Sequence, residues 1–243
     1  MSRNTSSKRT AQTFPVRIHR DHVLAEIGGK TCLIDTGSHL TWSLNKSIEV
    51  MGQKFDTEPQ YGPMSLAELS GYVGRHLDYL IGMDVLGAFP WRLDWNKREL
   101  EFYEDYVPNG EVKNIVECGD QAAVIDSGAR PSSMPPVVGF KIEGVPQIAI
   151  LDTGAPYQYG PRSAQFGRYI GEKDDFSPFW GKHKADAFET SFEFGGRKWE
   201  KGVFCKLKPG TPTEFGWLLG ADILKAGPIV FDLRRDKRRI YLL

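Results

Sequence analysis

Cys32-Leu33-Ile34-Asp35-Thr36-Gly37-Ser38 and Ile148-Ala149-Ile150-Leu151-Asp152-Thr153-Gly154-Ala155 are the two stretches on which the reading of this chain turns. In each, a short apolar run of buried-strand type delivers an aspartate into an Asp-Thr-Gly turn. One such tripeptide would carry little weight, because three residues recur by chance and Asp-Gly turns punctuate many loops. Downstream of each copy lies a second matched stretch, Tyr79-Leu80-Ile81-Gly82-Met83-Asp84-Val85-Leu86 and Trp217-Leu218-Leu219-Gly220-Ala221-Asp222-Ile223-Leu224. Counted from Gly82 and Gly220, alanine falls six places on (Ala88, Ala226), proline eight (Pro90, Pro228) and aspartate twelve (Asp94, Asp232). Positions kept in register this way mean an internal duplication. A fainter match joins Ser47 to Phe55 with Ser191 to Trp199, each alternating apolar and polar residues around a glycine, as strands entering hairpins do.

The paired Asp-Thr-Gly and apolar-Gly motifs resemble those of aspartic peptidases, and the resemblance runs from about Phe14 to Leu243. Each half is similar to one retroviral-type protomer, while two halves in one chain resemble the pepsin plan. The resemblance implies an all-β, bilobal acid-protease fold: two retropepsin-like β-barrel lobes with short helices, related by a pseudo-twofold axis. On this reading residues 1–13 form a mobile tail, 14–103 lobe 1, 104–119 an inter-lobe linker of charged, Asn, Gly and Pro residues, and 120–243 lobe 2.

Composition agrees with a β protein. The 243 residues can bury a substantial core, glycine (26) and proline (15) are plentiful, and the candidate strands are short and rich in Val, Ile, Phe, Tyr and Trp. Lys+Arg and Asp+Glu both number 31, so net charge gives no reason to expect nucleic acid or an acidic membrane as partner. The one basic run, Arg234 to Arg239, reads as a solvated turn between the last two strands. No segment approaches the roughly 20 apolar residues of a membrane span. Met1 to Thr13 lacks the apolar core of a secretory signal. Three scattered cysteines, Cys32, Cys118 and Cys205, argue against a disulfide framework and for a reducing, cytoplasmic location, and two halves joined in one chain are expected to act as a monomer. Cys32 lies three residues before Asp35 but reads as a small apolar strand residue. The five histidines show no spacing suggesting a base or a zinc site, so no metal or cofactor is expected.

In lobe 1 the expected strands are Phe14 to Arg20, His22 to Ile27 and Thr31 to Ile34, with a turn at Gly28-Gly29. In lobe 2 they are Gln121 to Ile125, Val137 to Ile142 and Gln147 to Leu151, with a turn at Gly144. Asp126, in Val124-Ile125-Asp126-Ser127-Gly128, imitates an active-site turn. Spacing sets it aside: Asp35 precedes Gly82 by 47 residues and Asp152 precedes Gly220 by 68, whereas Asp126 precedes it by 94.

Asp35 and Asp152 are therefore the candidate catalytic pair. Two carboxyls at one site cannot both ionise freely, so they share one proton over a range of pH. The ionised member can take a proton from water while the other polarises a peptide carbonyl. The resemblance implies an aspartic endopeptidase acting on a peptide or protein held in an extended conformation. A protease-fold module that binds peptide with little catalysis is the alternative.

By the same resemblance Thr36 and Thr153 would grip one another across the axis. Gly37 and Gly154 would admit backbone N–H groups close to the carboxylates. Ser38 could donate a hydrogen bond to Asp35, which Ala155 cannot do for Asp152, making Asp35 the expected lower-pKa partner. Gly82 and Gly220 would let the preceding strand pass under each aspartate loop. Asp84 and Asp222 read as helix N-caps. Retroviral enzymes commonly carry an arginine after this glycine, whereas Met83 and Ala221 stand here. For the flap, the hairpin that closes over substrate, two places compete: about Asp174 to Ala187 in lobe 2, or Lys54 to Leu69 in lobe 1. The aromatics Phe166, Tyr169, Phe176, Phe179, Trp180 and Phe188 belong equally well to core or cleft.

Overall fold

The computed structural model describes residues 11–61, 64–108, 114–119, 134–178, 181–209 and 216–243. The chain is mostly β, with few helices. None of the described helices is long and apolar enough to cross a membrane. Asp126, the expected strand Gln121 to Ile125, Phe179 and Trp180 lie outside the described residues.

The first half opens with strands β1 (Ala11–His19), β2 (His22–Ile27) and β3 (Lys30–Ile34). A hairpin follows, β4 (Ser47–Val50) and β5 (Gln53–Asp56), turning through Met51 and Gly52 at φ of 54° and 72°. Both residues are left-handed, as a tight hairpin turn requires. The short strands β6 (Gln60–Tyr61) and β7 (Met64–Ser65) lead into helix α1 (Leu66–Val73). Ser65 and Glu68 cap α1 reciprocally, and Gly74 ends it in the left-handed conformation. Then come β8 (Tyr79–Ile81), helix α2 (Met83–Leu86), β9 (Trp91–Asp94) and β10 (Glu99–Tyr103).

The second half contains β11 (Ile115–Glu117), β12 (Val137–Ile142), β13 (Val145–Leu151), β14 (Gln158–Tyr159), the long strands β15 (Arg168–Ser177), β16 (Gly181–Phe194) and β17 (Arg197–Leu207), and β18 (Trp217–Leu219). A 3-10 helix (Ala221–Ala226) precedes β19 (Ile229–Asp232) and β20 (Arg239–Leu242).

One sheet joins the halves in the order β11-β20-β19-β9-β10-β1-β2-β3-β8. Its seam is the antiparallel pair β9 and β19, where Trp91 faces Phe231 and their rings stack at 4.0 Å. Both side chains are fully buried, so the seam lies in the core. The other sheet, β12-β13-β18-β14-β17-β16-β15, belongs wholly to the second half.

Three expectations change at the edges. Ala11 to Thr13, expected in a mobile tail, pair with Tyr103, Phe102 and Glu101, because β10 presents an unpaired edge that β1 completes. Ile115 to Glu117, expected in the linker, pair with β20 and bury Val116. The basic run is not simply a solvated turn: Arg234 bonds buried Asp232 and also Asp105, Arg239 bonds Glu117, and Arg238 is buried.

Candidate active site

Local topology repeats around the two aspartates. Strand β3 runs parallel to β8, with Ile34 beside Ile81, and β13 runs parallel to β18, with Leu151 beside Leu219. The chain beyond each aspartate turn then pairs antiparallel with the other edge of that strand, Trp42 with Leu80 and Tyr159 with Leu218. Each of β8 and β18 is thus threaded between the segments flanking an aspartate. The following glycine must pass directly under the loop. A Cβ on Gly82 would lie 2.3 Å from the Leu40 carbonyl oxygen, and one on Gly220 2.4 Å from that of Tyr157. Any side chain there would collide with backbone, so both positions require glycine.

The two turns meet face to face. A Cβ on Gly37 would fall 2.3 Å from the Asp152 carboxyl carbon, and one on Gly154 2.4 Å from that of Asp35. Each glycine therefore lies flat against the opposite aspartate. Within each turn the pattern matches: Asp35 Oδ1 accepts from the N–H groups of Gly37 (2.8 Å) and Ser38 (3.1 Å), and Asp152 Oδ1 from those of Gly154 (2.9 Å) and Ala155 (3.1 Å). The threonines cross between turns. Thr36 Oγ1 donates to the Leu151 carbonyl (2.8 Å) and accepts from the Thr153 N–H (3.0 Å). Thr153 Oγ1 donates to the Ile34 carbonyl (2.9 Å) and accepts from the Thr36 N–H (3.1 Å). Both threonines are buried, so these four bonds replace water in holding the loops together.

Burial pushes the Asp35 carboxyl well above the usual carboxylate range, and the adjacent Asp152 charge pushes it further. Burial also raises Asp152, but the Asp35 carboxyl and the N–H groups of Gly154, Ala155 and Gly37 oppose the rise. Both carboxyls are raised, so the pair holds one proton between them. The expected hydrogen bond from Ser38 to Asp35 is not made: Ser38 Oγ donates to the Leu40 carbonyl (2.8 Å), so the serine–alanine difference does not distinguish the two aspartates. Both turns offer their aspartate backbone N–H groups, so Ser38 and Ala155 do the same job.

Asp84 and Asp222 are not N-caps. Gly82 and Gly220 hold those positions, and neither cap has a side-chain hydrogen bond. Asp84 instead accepts from the N–H and hydroxyl of Thr41, whose oxygen in turn accepts from the Gly82 N–H, bracing the first loop. Asp222 pairs with Lys225. Gln158, six residues after its aspartate as Thr41 is, is fully buried with neither amide atom hydrogen-bonded.

Several residues at the site leave no signal in the sequence. His22 opens β2, is buried, and its Nδ1 lies 3.0 Å from the Gly154 carbonyl. A carbonyl only accepts, so Nδ1 carries the proton. Burial lowers this imidazole to about 4, leaving it neutral. Tyr159 donates its hydroxyl to Asp175, and burial raises both groups. For Asp175 the sequence carries one signal, the acidic pair Asp174-Asp175 between Tyr169 and Phe176.

That segment forms the β15–β16 hairpin, which reaches across to the first half. Phe176 stacks on Tyr72 of α1 at 5.0 Å and lies 6.0 Å from the His22 ring. Phe166, half-buried, packs against the core with Phe204 and Trp217, while Phe188, also half-buried, lies between Phe166 and the exposed Tyr169. Between the hairpin, α1 and the β1–β2 turn lies a cleft of about 550 Å³, continuous with the Asp152 loop through Pro156 and Tyr157. Among the described residues no cluster of His, Cys, Asp or Glu could hold a metal ion. Compared with protein-family models and with curated proteins, the sequence matches none.

Proposed function

We propose that the chain is an aspartic endopeptidase with one dyad, Asp35 and Asp152, built from two retropepsin-like lobes that correspond to its two halves. The observation that carries this reading is the face-to-face pair of raised carboxyls, held by matched N–H groups and crossed threonines. Such a pair suits hydrolysis. The ionised member of the pair takes a proton from water as the oxygen attacks the peptide carbonyl carbon, while the protonated member passes its proton to the carbonyl oxygen. The resulting diol collapses as a proton passes to the amide nitrogen and the C–N bond breaks, leaving a carboxyl and an amine. The dyad titrates as a unit.

In this reading the β15–β16 hairpin is the flap, supplied by the second lobe alone. Its stack on Tyr72 supports closure over an extended peptide. The three unpaired cysteines support a reducing, cytoplasmic setting, and the shared sheet supports a monomer that needs no second chain.

The test is cleavage of an unbiased peptide mixture from pH 3 to 8 by the wild type, Asp35→Asn and Asp152→Asn. The dyad requires that both substitutions abolish cutting. Cutting that survives Asp152→Asn but not Asp126→Asn would move the second aspartate to the other turn. A wild type that cuts nothing yet binds an extended peptide would be a binding module.

A further inference from the structure

The cleft beside the Asp152 loop is lined by charged residues whose pairing is uneven. Three carboxylates reach it, and all are engaged. Asp21 pairs with Lys225 at 3.0 Å, Asp174 with Lys184 at 3.1 Å, and Asp175 takes the Tyr159 hydroxyl. The cations are not matched in this way. Arg20, on the β1–β2 turn, and Lys182, near the start of β16, have no carboxylate partner among the described residues. Lys182 lies 5.4 Å above the Tyr72 ring, a contact that leaves its charge uncancelled. His22 is neutral and adds none.

The walls between these charges are aromatic, from Tyr72, Tyr157 and Phe176. A volume of about 550 Å³ admits one or two amino-acid side chains. Two uncompensated cations, aromatic walls and continuity with the Asp152 loop make a receptor for a carboxylate on an otherwise apolar stem. Charge-assisted hydrogen bonds from Arg20 and Lys182 would orient it.

We propose that this cleft is a specificity subsite for a carboxylate of the substrate, borne by a glutamate or aspartate at a fixed position from the cut bond, with Arg20 and Lys182 as its specificity-determining residues. The inference rests on the endopeptidase reading for the cut bond, but not for the recognition itself. Glutamate outranks a chain end here because the cleft lies beside the dyad and is reached by a side chain of a peptide that continues on both sides.

The experiment is cleavage of matched amidated peptides carrying Glu, Gln or Lys at each position flanking the cut, by wild type, Arg20→Ala, Lys182→Ala and the double variant Arg20→Glu/Lys182→Glu. At low salt, Glu should exceed Gln by about tenfold in kcat/KM at one position, shrinking as ionic strength rises. Each alanine variant should reduce the ratio, and the double variant should shift the preference to Lys. Free and amidated C-termini distinguish a side-chain carboxylate from a chain end, and preference for the free terminus alone would overturn the side-chain assignment. Retained circular dichroism and melting temperature separate a lost preference from misfolding. Equal cutting of Glu and Gln peptides at every position, or a preference unmoved by the double variant, overturns the proposal. If the wild type cuts nothing, fluorescence anisotropy of the same labelled peptides decides: tighter Glu binding that the double variant abolishes supports the subsite, and equal binding removes it, independently of the peptidase reading.

Discussion

Replacing Thr36 by valine removes one hydroxyl of near-identical shape and tests whether crossed side chains lock the two aspartate turns. That hydroxyl serves two bonds between the halves, to the Leu151 carbonyl at 2.8 Å and from the Thr153 N–H at 3.0 Å. Thr36 is fully buried, so water cannot take over either partner. An orphaned buried polar group costs about 1–3 kcal/mol, so two cost roughly 2–6 kcal/mol. For a chain of this size that lowers Tm on the order of 10 °C. The loop also carries Asp35, and a displacement of about 1 Å at a reacting group can cost around a hundredfold in rate. Scanning calorimetry and peptide cleavage on the same preparations read both effects. Ser38→Ala is the control: its hydroxyl bonds only the Leu40 carbonyl in its own loop, and its loss should cost about 1 kcal/mol or less. A Tm for Thr36→Val within about 2 °C of wild type would mean that the orphaned groups had found other partners, and the interlock would be refuted.

The dyad makes a second, less obvious prediction about pH. Asp35 has a folded pKa above its unfolded value, so its contribution to stability is complete below the ordinary carboxylate range and is lost as pH rises through the raised folded value. Asp35→Asn should therefore melt higher than wild type at pH 7, with the gap narrowing towards pH 4, and a constant gap would contradict the raised carboxyl. His22 runs the other way: lowered to about 4, it contributes stability that is complete above its unfolded value near 6.5 and lost as pH falls towards 4. Its ring resonances in NMR should titrate with a midpoint well below 6, and a midpoint near 6.5 would place the ring in solvent. Gly154→Ala would drive a methyl into the Asp35 carboxyl carbon at 2.4 Å, so the chain should fold but lose at least a hundredfold in cleavage by the separated dyad. Retention of wild-type kcat would show that the turns need not touch.

The sequence was most informative where the chain is locally constrained. Aspartate in a tight turn, a glycine beneath it and left-handed pairs such as Met51-Gly52 and Gly195-Gly196 each demand particular residue types at particular spacings. The duplication repeated those demands, so Asp35, Asp152, Gly82 and Gly220 were identifiable without any structure. Edges were not legible in this way. Ala11 to Thr13 and Ile115 to Glu117 look like tail and linker because their pairing partners, β10 and β20, supply the order from elsewhere in the chain.

What only the tertiary structure decided is where side chains point and what crosses between the halves. Ser38 next to Asp35 suggests a bond between them, but the rotamer sends its hydroxyl to Leu40 and leaves the two aspartate turns alike. His22 reaches Gly154 across 132 positions of sequence, and Phe176 meets Tyr72 only because a long hairpin folds over α1. No periodicity encodes such meetings. The sequence by itself determined a duplicated, mostly β chain with one aspartate turn per half, because turns and close approaches are local steric demands. The apposition of those turns, the raised carboxyls of the pair and the chemistry of the cleft depend on packing between distant segments, where burial and charge act through space and not along the chain.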